Sequence, residues 1–386
     1  MSAPKLEAAW LDGPGPRAII GMLEGAGWRA LYVGGCVRNA LLGRPATDID
    51  IATDARPVTV MALAAGAGIE AVPTGFEHGT VTLVRDGAPL EVTTFRRDVA
   101  TDGRRAVVAF SDDIAHDAAR RDFTMNALYA RSDGELVDPL GGLSDLRAGR
   151  VRFVGDPGAR IAEDYLRILR FFRFHALYGD PTGGLDAEGL AACAAGRDGL
   201  GQLSRERVGA EMAKLLAASD PAASVAAMAT TGVLGRVLPG ADAAALAPLV
   251  ETEARAGAAP SWLRRLAAMG IGGDRAGRLR LSRADARALE AIWSALATDD
   301  GPAVCAYRAG ADAARDAALI RAAALGVAPP ADLEAEIARG ASAVFPLRAA
   351  DLTLTGPALG AELRRLEERW IALDLAPARD ALREGD

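Results

Sequence analysis

Residues 31–53 read LYVGGCVRNALLGRPATDIDIAT, and this stretch decides the fold class. Leu31-Tyr32-Val33 is a short apolar strand that runs into Gly34-Gly35, and a helical pattern follows through Leu42. Glycine lets the backbone come close to a ligand, and a helix start presents free N–H donors, so the turn can cradle phosphate. Arg38, one turn into the helix, can reach phosphate oxygens. A tight strand-to-helix turn with no ligand fits the same residues equally well. Asp48-Ile49-Asp50-Ile51 alternates charged and apolar residues with the period of a strand. Asp48 and Asp50 are therefore expected on one face, with Ile49 and Ile51 on the opposite, buried face. Paired carboxylates beside a phosphate turn can hold Mg2+ for phosphoryl or nucleotidyl transfer. A lone D-x-D is more often a solvated strand face, and only its neighbourhood raises the metal reading.

Outward from this stretch, Pro57–Ala65 is expected to be helical, with proline at a position where its missing N–H costs nothing. A hairpin follows: His78–Arg85, an Asp86-Gly87 turn and Leu90–Phe95. Glu91 on its returning strand is the candidate third carboxylate, against the alternative of a solvent-facing edge charge. Arg96–Phe110 lacks apolar periodicity and is expected to be a charged loop. Asp133-Gly134 sets a turn between Ala127–Ala130 and Glu135–Val137. From Pro157 onward strand signals vanish, and Ala-, Leu-, Arg- and Glu-rich helical stretches are punctuated by Pro and Gly. Residues 356–372 form an amphipathic helix expected to pack through Leu359, Leu363, Leu366 and Trp370.

Glu163–Arg173 is read as one helix. Ile161, Tyr165, Ile168, Leu169 and Phe172 share its apolar face, while Glu163, Asp164 and Arg167 lie opposite with Arg170 alongside. Asp164 and Arg167, as i,i+3 neighbours, are expected to pair. Spacing alone favours a solvated face with helix salt bridges. His116-Asp117 lacks the further ligands of an HD phosphohydrolase, since the chain has only 3 histidines. Phe171 and Phe172 suit core packing better than base stacking, and Cys36 reads as a small packing residue.

Composition narrows the classes. The chain has 386 residues and a net charge of −7, and of its 44 basic residues only Lys5 and Lys214 are lysine. An acidic chain of this kind does not bind polyanions through bulk charge, so nucleic-acid contacts must come from placed arginines. Three scattered cysteines exclude a disulfide framework and a Cys-rich zinc site. Met1–Asp12 lacks the apolar run of a signal peptide, and the longest uncharged run, Pro221–Gly235, is only 15 residues. A cytoplasmic protein without membrane contact is expected.

Leu31–Thr53 and Arg120–Ala127 (RRDFTMNA) together resemble the class II tRNA nucleotidyltransferases, a family of CCA-adding enzymes and bacterial poly(A) polymerases within the polymerase-β-like superfamily. The resemblance continues through Asp138–Gly142 (DPLGG), Glu163–Arg170 and Arg205–Leu216 (RERVGAEMAKLL). It implies an α+β chain: a nucleotidyltransferase head with a small mixed sheet (1–155), an all-α neck that selects the nucleobase (156–220), and a helical body and tail that bind tRNA (221–386). By the same resemblance Asp48 and Asp50 hold Mg2+, while Glu91 stays a candidate catalytic carboxylate on its position in the hairpin alone. Gly35 and Arg38 hold the triphosphate, and Arg121, Asp122 and Asn126 face ribose and phosphates. Glu163, Asp164 and Arg167 face the Watson–Crick edges of the base, while Arg170 and Arg173 extend the basic lining. Asn39 stands where the family pattern has an aspartate, which weakens one supporting contact. The segment Thr74–Val84 (TGFEHGTVTLV) looks like the CCA-adding version rather than the basic one of poly(A) polymerases, and Arg97–Arg105 resembles the flexible loop of A-adding members. The implied partners are the tRNA 3′ end, CTP and ATP, with no obligate protein partner. The alternatives are poly(A) or partial (A-adding or CC-adding) activity, and a non-catalytic RNA-binding protein on the same fold.

Overall fold

The computed structural model describes residues 5–46, 48–85, 87–102, 105–272, 277–376 and 382, and of residues 98–102 and 105–108 the backbone alone. The chain divides into two compact units, Met1–Leu203 with Thr231–Val233, and Ser204–Thr230 with Leu234–Asp386.

The first unit is built on a mixed sheet. In chain order its elements are α1 (Pro14–Gly25), β1 (Ala30–Val33), α2 (Gly35–Leu41), β2 (Asp50–Thr53), α3 (Pro57–Gly66), β3 (Glu70–Gly75), β4 (Thr80–Arg85) and β5 (Ala88–Thr94). They continue with β6 (Arg96–Asp102), β7 (Arg105–Phe110), α4 (Ile114–Ala119), β8 (Tyr129–Ala130), β9 (Leu136–Val137), α5 (Gly142–Arg147), α6 (Pro157–Glu163), α7 (Leu166–Tyr178) and α8 (Ala187–Gly196). The seven-stranded sheet has the order β3-β4-β5-β2-β1-β8-β9. β2 and β5 run parallel, and the other neighbours are antiparallel. One face carries Tyr32, Ile51, Val81, Leu83 and Val92, all buried. α1 and α3 cover the sheet with Ile19, Ile20, Leu23, Val60 and Ala64, and each large apolar side chain contributes about 1.5–3 kcal/mol on burial. The other face gathers Leu31, Val33, Ala52 and Tyr129 into one cluster with Phe95, Ala118 and Ala127.

Two expectations are corrected here. Strand β2 starts at Asp50, so Asp48 precedes the strand rather than lying within it. Ile51 is fully buried, as the alternation predicts. Arg96–Phe110 is no loop: β6 and β7 pair antiparallel, with a register shift between Asp98 and Ala100. A two-stranded ribbon is held by its backbone ladder and needs no apolar alternation, which is why periodicity missed it. Gly103 and Arg104 of this stretch, and Asp86 of the expected hairpin turn, lie outside the described residues. Strand β3 was also absent from the sequence reading; its side chains are largely exposed and carry no buried period.

The second unit is helical: α9 (Arg205–Leu216), α10 (Ala222–Thr230), α11 (Leu246–Ala256), α12 (Trp262–Ala268), α13 (Arg283–Leu296), α14 (Pro302–Ala309), α15 (Ala311–Leu325), α16 (Leu333–Ser342) and α17 (Gly356–Ala372). Leu363, Leu366 and Trp370 of α17 pack with Val304 and Leu347 as the amphipathic pattern predicts, while the expected Leu359 is not part of that cluster. A buried charge cluster ties four of these helices together. Glu253 accepts from Arg264 (2.8 Å) and from Arg265 (2.7 and 3.1 Å), and Arg264 also donates to Asp316 at 2.7 Å. Arg265 in addition caps the end of α9 by donating to the carbonyls of Leu216, Ala218 and Ser219. No described helix is long and apolar enough to cross a membrane.

Candidate active site

The turn between β1 and α2 has the backbone its two glycines suggest. Gly34 has φ +74°, a region L side chains rarely adopt. A Cβ built there would stand 3.2 Å from Arg121 Nη1 and 3.8 Å from the Asn126 carbonyl. The Gly34 N–H donates to the Leu128 carbonyl at 3.1 Å, which anchors the turn to the segment before β8.

Arg38 sits on α2, only 7% exposed. Its Nη1 donates to Asn126 Oδ1 (2.5 Å), its Nε and Nη2 to Asn39 Oδ1 (3.1 and 2.9 Å), and Nη2 also to the Tyr178 hydroxyl (2.8 Å). The guanidinium lies over the Tyr178 ring at 4.1 Å and the Phe174 ring at 5.2 Å. Every one of these contacts is neutral. Burial therefore pushes the guanidinium below its ordinary value, and a cation so placed gains by taking an anion. Asn39 completes this cradle, with its own Nδ2 fixed to the Pro45 carbonyl at 3.1 Å.

The carboxylates occupy the neighbouring strands. Asp50 is the register partner of Glu91 on β5 and of Val33 on β1, so Asp50 and Glu91 share a sheet face. Burial raises the Asp50 carboxyl above its ordinary value. Glu91 and Asp48 add to the rise, while Arg121 opposes it. Among the described residues no group of three or more His, Cys, Asp or Glu side chains is gathered closely enough to hold a metal ion. The pair nevertheless fits Mg2+, which takes hard oxygen ligands and commonly one or two carboxylates completed by substrate phosphates. Carboxylates that repel one another in a half-buried place are also relieved by a divalent cation.

Arg121, Asp122 and Asn126 form the wall beside this pair. Arg121 donates from Nη2 to Asp117 Oδ2 (2.9 Å) and from Nε to the Tyr129 hydroxyl (3.1 Å), and that hydroxyl donates to the same Asp117 oxygen at 2.8 Å. Asp122 accepts from the Phe123 N–H (2.9 Å), Asn126 Nδ2 (2.8 Å), and Arg170 Nε and Nη2 (2.7 and 2.5 Å). Burial would raise the Asp122 carboxyl, but Arg170, Asn126 and the Phe123 N–H together hold it below its ordinary value. Arg170, Asp122, Asn126 and Arg38 are thus joined hand to hand, from α7 to α2.

The expected single helix at Glu163–Arg173 is broken. α6 ends at Glu163, Asp164 is extended (φ −157°, ψ 105°), and α7 begins at Leu166. Asp164 therefore does not supply the expected i,i+3 pair with Arg167. Its Oδ1 accepts the Leu166 N–H at 3.1 Å, and Arg167 pairs with Glu163, which also accepts from Arg160 at 2.7 Å. Arg173 stacks over Phe174 at 4.7 Å. Phe171 and Phe172 are fully buried among Phe153, Phe123 and Phe174, as core residues. His116 bonds the Ser111 hydroxyl at 2.8 Å, Asp117 serves Arg121, and Cys36 is buried.

The structure thus brings Arg38, Asp122, Asn126 and Arg170 into one network, with Gly35 beside Arg38, and Asp50, Glu91, Asp48 and Arg121 into electrostatic contact. Three residues of this site were missed in the sequence. Asp117 could have been found from its i,i+4 spacing to Arg121, whereas Tyr129 and Tyr178 carry no local signal.

Two regions of the chain match known domain families. Residues 30–152 match the poly(A) polymerase head domain, and residues 185–245 match the probable RNA and SrmB-binding site of polymerase A. The human mitochondrial CCA tRNA nucleotidyltransferase 1 is 45% identical over 184 residues, which cover 47% of this chain and 42% of the relative. The CCA-adding enzyme of Levilactobacillus brevis is 39% identical over 219 residues, 56% of this chain and 53% of that one. The chain spans about half the length of the curated relatives it matches. The crystal structure of the Bacillus stearothermophilus CCA-adding enzyme in complex with CTP superposes with a TM-score of 0.74 at 29% identity, covering 93% of this chain and 92% of that one. The Thermotoga maritima CCA-adding enzyme complexed with tRNA-CCA shares the fold at 17% identity, with a TM-score of 0.69 over 100% of this chain and 98% of that one. Residues 30–152 and 185–245 thus carry the head and RNA-binding domains of the poly(A) polymerase family.

Proposed function

We propose that this chain adds C, C and A to the 3′ end of tRNA from CTP and ATP, by nucleotidyl transfer with release of pyrophosphate. The observation that carries the reading is the pairing of two opposite electrostatic needs. Buried Arg38, whose hydrogen bonds go to the neutral Asn39, Asn126 and Tyr178, calls for an anion, and Asp50, pressed by burial and by the charges of Glu91 and Asp48, calls for a cation. A nucleoside triphosphate with its metal satisfies both at once.

Enzymes of this family use divalent metal ions. Mg2+, held by Asp48 and Asp50, would lower the pKa of the attacking 3′-hydroxyl and neutralise charge on the phosphates. Glu91 adds a third negative charge beside Asp50. Gly35 and Arg38 bind the triphosphate, and Arg121, Asp122 and Asn126 line ribose and phosphate. Glu163, Asp164 and Arg167 select the base: a carboxylate accepts from the exocyclic amine of C or A, where U and G offer a carbonyl. Arg170 and Arg173 lead toward the RNA end. In this reading residues 1–155 are the catalytic head, 156–220 the base-selecting neck, and 221–386 the tRNA-binding body and tail. The enzyme works without an obligate protein partner. Three buried free cysteines suit a reducing compartment such as the cytoplasm, although the human relative is named as mitochondrial.

The test uses tRNA transcripts ending before the CCA and at CC, with CTP and ATP supplied singly and together, and product length and pyrophosphate release as readouts. Stepwise addition that stops at CCA supports the proposal. Homopolymeric A tails, addition of only C or only A, or RNA binding without pyrophosphate release would each replace it. Asp48→Ala and Asp50→Ala abolish addition of both nucleotides while tRNA still binds. Asp164→Ala combined with Arg167→Ala relaxes CTP/UTP discrimination, and unchanged discrimination removes those residues from base selection.

A further inference from the structure

Three arginines face the proposed nucleotide site, and their surroundings differ in kind. Arg38 hydrogen-bonds to the neutral Asn39, Asn126 and Tyr178, Arg170 is held by Asp122, and Arg121 is held by Asp117 and Tyr129. Asp117 is 3% exposed and Tyr129 is fully buried, so neither can itself touch a ligand in the open site. Their three polar groups close a triangle. Asp117 Oδ2 accepts from both Arg121 Nη2 and the Tyr129 hydroxyl, while that hydroxyl accepts from Arg121 Nε. The Tyr129 ring backs the guanidinium at 5.2 Å. Two edges of the planar fork are thereby committed, and Nη1 is the edge left against the Gly34 turn, 3.2 Å from where a Cβ would stand.

The triangle also settles a charge problem. Arg121 lies close enough to Asp50 to influence its carboxyl. An uncompensated guanidinium there would compete with a metal ion for the negative charge of Asp50. Paired with Asp117, it can donate a hydrogen bond while contributing little net charge.

Resting on the nucleotidyl-transfer reading above, we propose that Asp117 and Tyr129 are positioning residues. They aim Arg121 across the Gly34 turn at the ribose-triphosphate shared by CTP and ATP, and they keep its positive charge from displacing the divalent ion at Asp50. Because that part of the nucleotide is common to both substrates, the pair acts on nucleotide affinity and not on the choice of base.

The experiment uses the full chain and tRNA ending before CCA and at CC. In Tyr129→Phe, which keeps the ring and removes the hydroxyl, KM for CTP and for ATP should rise by the same factor, about tenfold or more for one lost hydrogen bond to a charged group. The change should sit in KM rather than kcat, with the CTP/UTP preference intact. In Asp117→Asn the concentration of Mn2+ giving half-occupancy, followed by electron paramagnetic resonance without nucleotide, should rise about threefold or more as the guanidinium charge is released. Thermal melting accompanies each variant, so that an unfolded protein is recognised; should one variant fail to fold, the other measurement decides. Unchanged KM values in a folded Tyr129→Phe protein, a rise for one nucleotide only, or unchanged Mn2+ binding by folded Asp117→Asn would overturn the proposal. Absence of any addition by the parent chain would instead overturn the functional reading, while the Mn2+ titration would still report on Asp117.

Discussion

Replacing Asp50 by asparagine should make the metal-free protein more stable and the working enzyme inactive. In the folded chain the Asp50 carboxyl is raised by burial, by Glu91 one strand away and by Asp48, so its ionised form is disfavoured. A raised folded value means that Asp50 favours the fold below the ordinary carboxylate range, and that this contribution is lost as pH rises through the folded value. The asparagine side chain is neutral throughout. The variant should therefore match the parent in acid and melt above it near pH 7 when a chelator is present. Metal reverses the order. A divalent ion at ten times its dissociation constant stabilises the parent by about 1.4 kcal/mol, or roughly 3–6 °C for a unit of the head's size. With one of its two proposed ligands neutralised, the variant should show a shift of less than about 1 °C. Differential scanning calorimetry at neutral and acid pH, with chelator and with saturating MgCl2, follows all four conditions. A lower melting point for Asp50→Asn in chelator at pH 7, or a metal shift equal to the parent's, would refute the reasoning.

Other perturbations probe separate parts of the site. Asp122→Asn removes the carboxylate that holds Arg170, and it should flatten the acid limb of stability, because a depressed carboxyl contributes above its unfolded value and is lost as pH falls through the folded one; acid titration of ellipticity reads this. Gly34→Ala imposes a left-handed backbone on alanine and crowds Arg121, so stability should fall by about 1 kcal/mol and nucleotide KM should rise; melting and steady-state kinetics on one preparation check both. Glu253→Gln breaks a pair whose members are nearly fully buried, and the helical unit should lose about 3 kcal/mol or more in denaturant titration.

Sequence and structure agree best where local chemistry leaves few options. The turn at Gly34 is legible because its backbone demands glycine, and Ile51 because a strand buried on one face must alternate. Pro57 marks the start of α3 for an equally local reason. The break at Asp164 was illegible, since Glu163-Asp164-Tyr165 contains neither glycine nor proline. Its seats lie elsewhere in the chain: Gly199 lies under the Tyr165 ring, where a Cβ would come within 2.1 Å, and Gly196 makes room for Ile161. Tertiary packing here overrides a helical pattern. The ribbon at residues 96–110 escaped for the opposite reason, because backbone pairing alone holds it. Tyr129 and Tyr178 were invisible because their roles depend on which arginine the fold brings to them.

The Glu253 cluster separates two kinds of arginine by their response to ionic strength. Arg264, Arg265, Glu253 and Asp316 are sealed beneath the surface, where dissolved ions do not reach and screening is weak. RNA held by surface arginines would be released as counter-ions compete for the phosphates. Raising salt during purification should therefore strip adventitious nucleic acid from the protein and leave its helical unit intact.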